Sequence, residues 1–125
     1  MIYGIGTDIV SVERMRNNIE RHGKRFAERI LSDEELQDFA EVVNHAHFLA
    51  KRFAAKEAVA KAMGTGFIDG LSLREISVSH DGLGKPILKF TGKAEEFILR
   101  EGIHSSYISL ADEVDYAVAF VTLGL

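Results

Sequence analysis

The sequence predicts an α+β protein in which a mainly antiparallel sheet is packed with a long helix. Three observations point to it. Apolar runs of strand character open and close the 125 residues. Helical segments fill most of the space between them, the longest over 46–63. Strands at both ends with helices between are the pattern of an α+β domain. A turn at Asp81-Gly82-Leu83-Gly84, flanked by two further apolar runs, adds a hairpin.

Residues 2–10 alternate with period two, which puts Gly4, Gly6 and Asp8 on one face and Tyr3, Ile5, Thr7 and Ile9 on the other. Two glycines beside an aspartate leave room for close approach by a ligand or by another backbone. Ser11 caps a helix that runs to about residue 21 and is ended by Gly23. Residues 24–31 form a short second helix. Ser32-Asp33-Glu34-Glu35 is a capping-box pattern that opens a third. The long helix over 46–63 stops at Gly64. Strands are expected over 73–79 and 86–90, and a helix over 93–100 ended by Gly102. Two closing strands, 107–110 and 116–123, are joined by a turn at 112–115. With 46% apolar residues and no linker or repeat, residues 1–125 are expected to form one domain.

Composition narrows the function. The chain has no cysteine, which excludes disulfides and thiolate metal sites. Its opening apolar run is short and broken by Gly4, Gly6 and Asp8, so neither a signal peptide nor a membrane span is expected. The expected setting is the cytoplasm. A formal net charge of −4 argues against general nucleic-acid binding. That charge is unevenly spread. Arg14, Arg16, Arg21, Lys24, Arg25 and Arg29 outnumber the acids of 13–29, whereas 33–41 is acidic with no lysine or arginine. A basic face suits an acidic protein partner, and a solvated helix of mixed charge has the same composition.

The chemistry concentrates in residues 53–66. Phe53, Glu57 and Lys61 recur at i, i+4 and i+8, so they climb one helical stripe. This fits a plain intrahelical ion pair, or a phosphate and metal site with Glu57 on a cation and Lys61 on an anionic oxygen. Asp8 supplies a second carboxylate. Mg²⁺ takes one or two carboxylates and fills its other positions with water and phosphate oxygens. Gly64-Thr65-Gly66 reads as a helix C-cap or as a loop over phosphate. The helix dipole has the wrong sign there for an anion, which leaves Lys61, Thr65 and loop amides to hold one.

Gly6-Thr7-Asp8-Ile9 with Arg14, followed by Phe53-Ala54-Ala55-Lys56-Glu57-Ala58, Lys61 and Gly64-Thr65-Gly66, resembles the holo-acyl-carrier-protein synthases. These are the short, single-copy branch of the phosphopantetheinyl transferases, and the resemblance covers essentially the whole chain. It implies transfer of 4′-phosphopantetheine from coenzyme A to a serine of acyl carrier protein. By the same resemblance Asp8 and Glu57 hold Mg²⁺, and Lys61 and the Gly64, Thr65 and Gly66 loop meet the phosphates. Glu57 is the expected base, taking the serine proton through an intervening water. Lys85 and Pro86 lie near the adenosine end, or simply serve the turn; Arg14, Arg21 and Arg25 meet the acidic carrier, with Phe26 either an apolar contact for it or a core position of its helix. A homotrimer with sites at subunit interfaces is also implied.

The chain departs from the family at the penultimate strand. Many members carry a histidine just before it and another near its end, where this sequence reads Tyr107-Ile108-Ser109-Leu110-Ala111-Asp112. Asp112 then either reaches the site of a neighbouring subunit or simply makes a hairpin turn. His45 and His47 are expected on the surface. Two rivals to the transferase are a phosphate-ligand-binding domain and a carrier-protein-binding module, both non-catalytic.

Overall fold

The alternation of residues 2–10 becomes strand β1, Ile2–Ser11, in a computed structural model that describes residues 1–68 and 70–125. Ser11 then turns the chain, its side chain accepting the Arg14 N–H as N-cap of α1, Val12–His22. Gly23 separates α1 from α2, Lys24–Ile30. The Ser32–Glu35 capping box forms in full and opens α3, Asp33–Glu41. Asn44 caps α4, His45–Met63, by accepting the His47 N–H. The chain continues through β2, Ile76–His80; β3, Pro86–Phe90; α5, Gly92–Arg100; β4, Ser105–Asp112; and β5, Tyr116–Gly124.

Among the described residues every strand pairing is antiparallel, in two sheets rather than one. The larger has the order β1-β5-β4 and sets Asp8 opposite Ala119 and Thr7 opposite Phe120. The smaller is the β2-β3 hairpin, with Val78 opposite Leu88. One face of the larger sheet carries Ala117, Ala119, Val121 and Leu123, all buried, and α4 lies across it. The opposite face leaves Ile5, Ile9, Tyr107, Tyr116, Val118 and Phe120 exposed.

Helix α4 is buried on nearly every side, because alanines 54, 55, 58 and 62 let sheet and helices approach it closely. The stripe of Phe53, Glu57 and Lys61 stays open, as do His45, His47 and Lys51 nearer the start of the helix. This answers the periodicity: α4 has almost no apolar face to contrast with a polar one, so the charged stripe marks a wet edge on an otherwise largely buried helix.

Two expectations are corrected. Residues 73–75 form a 3-10 turn and not the start of a strand, because Ser72 and Glu75 make a second capping box. His47 is half-buried rather than a surface residue, with its ring Nε2 at 3.2 Å from the Glu113 carbonyl oxygen; His45 is exposed and stacks on Phe39.

Candidate active site

The glycines of β1 serve a backbone and not a ligand. A Cβ on Gly4 would overlap the Ala62 carbonyl oxygen, and one on Gly6 would overlap the Ala58 carbonyl oxygen. Strand and helix are therefore in main-chain contact beside Glu57 and Lys61. Asp8 follows two residues later on the same face of β1, so the contact delivers it to the open stripe of α4.

There Lys61 crosses to the strand. Its Nζ donates to Asp8 Oδ1 at 2.9 Å and to the Thr7 carbonyl oxygen at 3.0 Å. The cation thus pairs with Asp8, in preference to the Glu57 one turn before it. Glu57 is half-buried, and its carboxyl is held above the ordinary carboxylate range, first by burial and then by the charge of Asp8. Lys61 and Arg14 pull it back. Arg14 reaches from α1 with its guanidinium 5.5 Å from the centre of the Phe53 ring, a cation–π contact. Four charged groups from three elements therefore share one field.

Two carboxylates near enough to raise the pKa of one are what a divalent cation relieves. Among the described residues no group of three or more His, Cys, Asp or Glu is placed to hold a metal. An all-protein cage is absent from them, and the donor set fits a hard cation that keeps open positions for water and phosphate oxygens.

Gly64 adopts the left-handed conformation, φ 82°, and closes α4 as its C-cap. The amides of Gly64 and Gly66 donate to the carbonyl oxygens of Ala60 and Lys61. Cap and loop are the same structure, and these two amides are spent on it. An anion at this loop would be left to Thr65 and Lys61. The Thr65 hydroxyl donates to the Gly66 carbonyl oxygen and borders a cavity of about 150 Å³ shared with Lys93 and Arg100.

Pro86 lies elsewhere. It lines a cavity of about 290 Å³ with Lys51, Arg52, His80, Gly84 and Asp112, which does not include Asp8, Glu57 or Lys61. Lys85 is exposed in the hairpin turn, where its backbone N–H donates to Asp81 Oδ1 at 2.9 Å. That bond and a second from the Leu83 N–H hold the Asp81 carboxyl below its usual range. Lys51, Arg52 and His80 were not expected at a site. Arg52 is 4% exposed, lies 4.4 Å over the Phe48 ring and leaves its Nε without a hydrogen bond. Arg21 and Arg25 are exposed on α1 and α2, and Phe26 is half-buried against the core.

A family model described as the 4′-phosphopantetheinyl transferase superfamily matches residues 4–121. A holo-[acyl-carrier-protein] synthase of Halorhodospira halophila is 55% identical over 123 residues, 98% of each chain. The crystal structure of a holo-[acyl-carrier-protein] synthase from Neisseria meningitidis superposes with a TM-score of 0.95 at 45% identity, covering 100% of both chains. One from Bacillus anthracis, in complex with coenzyme A (3′,5′-ADP), gives a TM-score of 0.81 at 35% identity over 98% of this chain and 96% of that one. With the family model matched over residues 4–121 and the fold matched over the whole chain, the chain belongs to the 4′-phosphopantetheinyl transferase superfamily.

Proposed function

We propose that this chain is a holo-[acyl-carrier-protein] synthase, transferring 4′-phosphopantetheine from coenzyme A to a serine of apo-acyl carrier protein. The observation that carries the reading is the meeting of Asp8, Glu57 and Lys61 at an open stripe of a largely buried helix. In the reaction the serine oxygen forms a bond to the β-phosphorus of coenzyme A. The pyrophosphate P–O bond breaks, and adenosine 3′,5′-bisphosphate leaves with the electron pair.

Asp8 and Glu57 are the residues that would hold Mg²⁺, which when bound supplies charge neutralisation at the pyrophosphate oxygens. Lys61 adds a cation where the phosphoryl group gains negative charge, a task of positioning and electrostatics. The raised pKa of Glu57 suits it to accept the serine proton, through a water where the distance requires one. Thr65 and Lys61 orient the phosphates at the Gly64 and Gly66 turn. Arg14, with Arg21 on the same helix and Arg25 and Phe26 on the next, receives the acidic carrier.

Pro86 and Lys85 are assigned to the adenosine end. Support comes from the cation-bearing cavity that Pro86 shares with Lys51 and Arg52. Because that cavity does not include the carboxylates, the arrangement favours a site completed between subunits. The exposed apolar face of the larger sheet supports contact between subunits, since such faces in water mark contacts, and a homotrimer is the assembly proposed for it. Among the described residues no helix is long and apolar enough to cross a membrane. A cytoplasmic setting is part of the proposal.

Mass spectrometry of apo-acyl carrier protein incubated with the chain, coenzyme A and Mg²⁺ tests it. A stoichiometric phosphopantetheine adduct is expected, and its absence with an active control carrier defeats the reading.

A further inference from the structure

Lys56 precedes Glu57 and faces the interior. Its ammonium is fully buried and donates three hydrogen bonds: to Glu35 Oε1 at 2.6 Å, to the Leu73 carbonyl oxygen at 2.9 Å, and to the Ile76 carbonyl oxygen. All three donors of the group are used. Glu35, equally buried, collects further partners. The Ser32 N–H donates to its Oε1 at 2.9 Å and the Val78 N–H to its Oε2 at 3.0 Å, while Arg52 Nε stands 3.6 Å from Oε2. A single carboxylate thereby joins the start of α3, strand β2 and, through Lys56, helix α4.

Stability alone does not account for such a pair. Desolvating two charges costs about as much as their attraction returns, and apolar residues of similar volume often match or exceed it. What an apolar pair lacks is direction. Three donated hydrogen bonds hold Lys56 at one azimuth, whereas apolar packing tolerates small rotations. Neighbouring residues on a helix stand about 100° apart, so whatever fixes Lys56 also fixes Glu57. Rotation of about 10° moves a side-chain tip 5–6 Å from the axis by roughly 1 Å. The Gly6 contact determines how near α4 lies to β1. Lys56 determines which way the helix faces.

We infer that the buried Glu35–Lys56 pair is a positioning element of the active site, setting the rotation of α4 so that Glu57 meets Asp8. The inference rests on the transferase reading for its kinetic consequences, and its geometry stands apart from that reading.

The test is the double variant Glu35→Leu, Lys56→Met, because a single substitution strands the other charge in the core. Three quantities are measured beside wild type: Tm, steady-state kinetics for both substrates, and Mn²⁺ binding in the presence of coenzyme A by calorimetry. The double variant should melt at or near the wild-type temperature. Its kcat should fall about 10–100-fold, with KM for coenzyme A within about threefold, as expected for misplaced reacting groups. Mn²⁺ should bind about tenfold or more weakly, as when support behind a metal ligand is lost. A folded double variant with wild-type kcat and Mn²⁺ affinity overturns the inference. So does one that does not fold, since the pair would then be a determinant of the fold itself. If wild type modifies no carrier, the transferase reading fails, and Mn²⁺ binding by the double variant still decides whether Glu57 has moved.

Discussion

Gly6 lies against Ala58 so closely that a Cβ on the glycine would overlap the Ala58 carbonyl oxygen and stand 2.8 Å from the Ala62 amide nitrogen. Both neighbours are main-chain atoms of α4 and cannot swing aside. Gly6→Ala should therefore push β1 off the helix and carry Asp8 away from Glu57. Overpacking of this kind costs about 1–3 kcal/mol in stability, read from a urea melt. A displacement near 1 Å should lower kcat about a hundredfold. Gly82→Ala, at a position with open space around it, is the control and should change neither. Wild-type turnover in the Gly6 variant would show that the strand–helix distance does not matter to the site.

Asp8→Asn and Glu57→Gln should each cost about 10²–10³-fold in transfer while leaving the fold intact, since each removes one of the two carboxylates proposed to hold Mg²⁺. Near-normal turnover in either purified variant at modest Mg²⁺ would sink the two-carboxylate assignment.

The same Glu57 variant has a thermal signature. Because the folded pKa of Glu57 is raised, its protonated form is favoured by folding. The stability this contributes is full below the ordinary carboxylate range and is lost as pH rises through the raised value. Glu57→Gln should thus melt above wild type at pH 7 without metal, and the gap should close on acidification below that range. The group is half-exposed, so the gain is modest, a few degrees at most, given that about 1 kcal/mol moves Tm by roughly 4 °C at this size. Addition of Mg²⁺ should raise the wild-type Tm more than that of the variant. A variant that melts below wild type at every pH would remove the carboxylate repulsion from the account.

Local chemistry was legible and long-range pairing was not. Ser11, Ser32 and Gly64 cap helices where their types and spacing place them. Residues 73–75 were misread although Ser72 and Glu75 repeat the spacing of Ser32 and Glu35, because an alternating run beside them looks like strand. Asp8, Glu57 and Lys61 were legible as residue types on the right stripes. That Lys61 pairs with Asp8 depends on the β1–α4 approach, 53 residues apart in sequence. Lys56 was hidden by its neighbours: Arg52 and Lys56 at i and i+4 look like a wet stripe, and Glu35 looks occupied by its cap. The structure has Glu35 serve the cap and the lysine together.

Lys61→Gln should separate catalysis from stability. Its ion pair with Asp8 is largely exposed on the lysine side, 55%, and such pairs contribute about 0–1 kcal/mol. The melt should hardly move, whereas kcat should fall about a hundredfold through the lost cation at the phosphoryl group. A variant that keeps its turnover would assign Lys61 to the resting pair alone.

Arg14 tests where the carrier lands. It stands on α1 with its guanidinium over Phe53, on the stripe that leads one turn later to Glu57, and its charge is felt there. A carrier serine delivered to Glu57 would bring its flanking acidic surface to this arginine and to Arg21 on the same helix. Arg14→Glu removes an attraction and adds a repulsion, and misplaced like charges at an interface can cost several kcal/mol. KM for the carrier should rise at least tenfold, while that for coenzyme A changes little. Raising the salt should shrink the difference, because charges at the rim are screened over about 8–10 Å at ordinary ionic strength. Arg14→Gln, which only removes the attraction, should lie between the variant and wild type. Titration of both substrates against all three proteins decides the matter. Equal losses for the two substrates, or a loss confined to coenzyme A, would move Arg14 from the docking face into the nucleotide site.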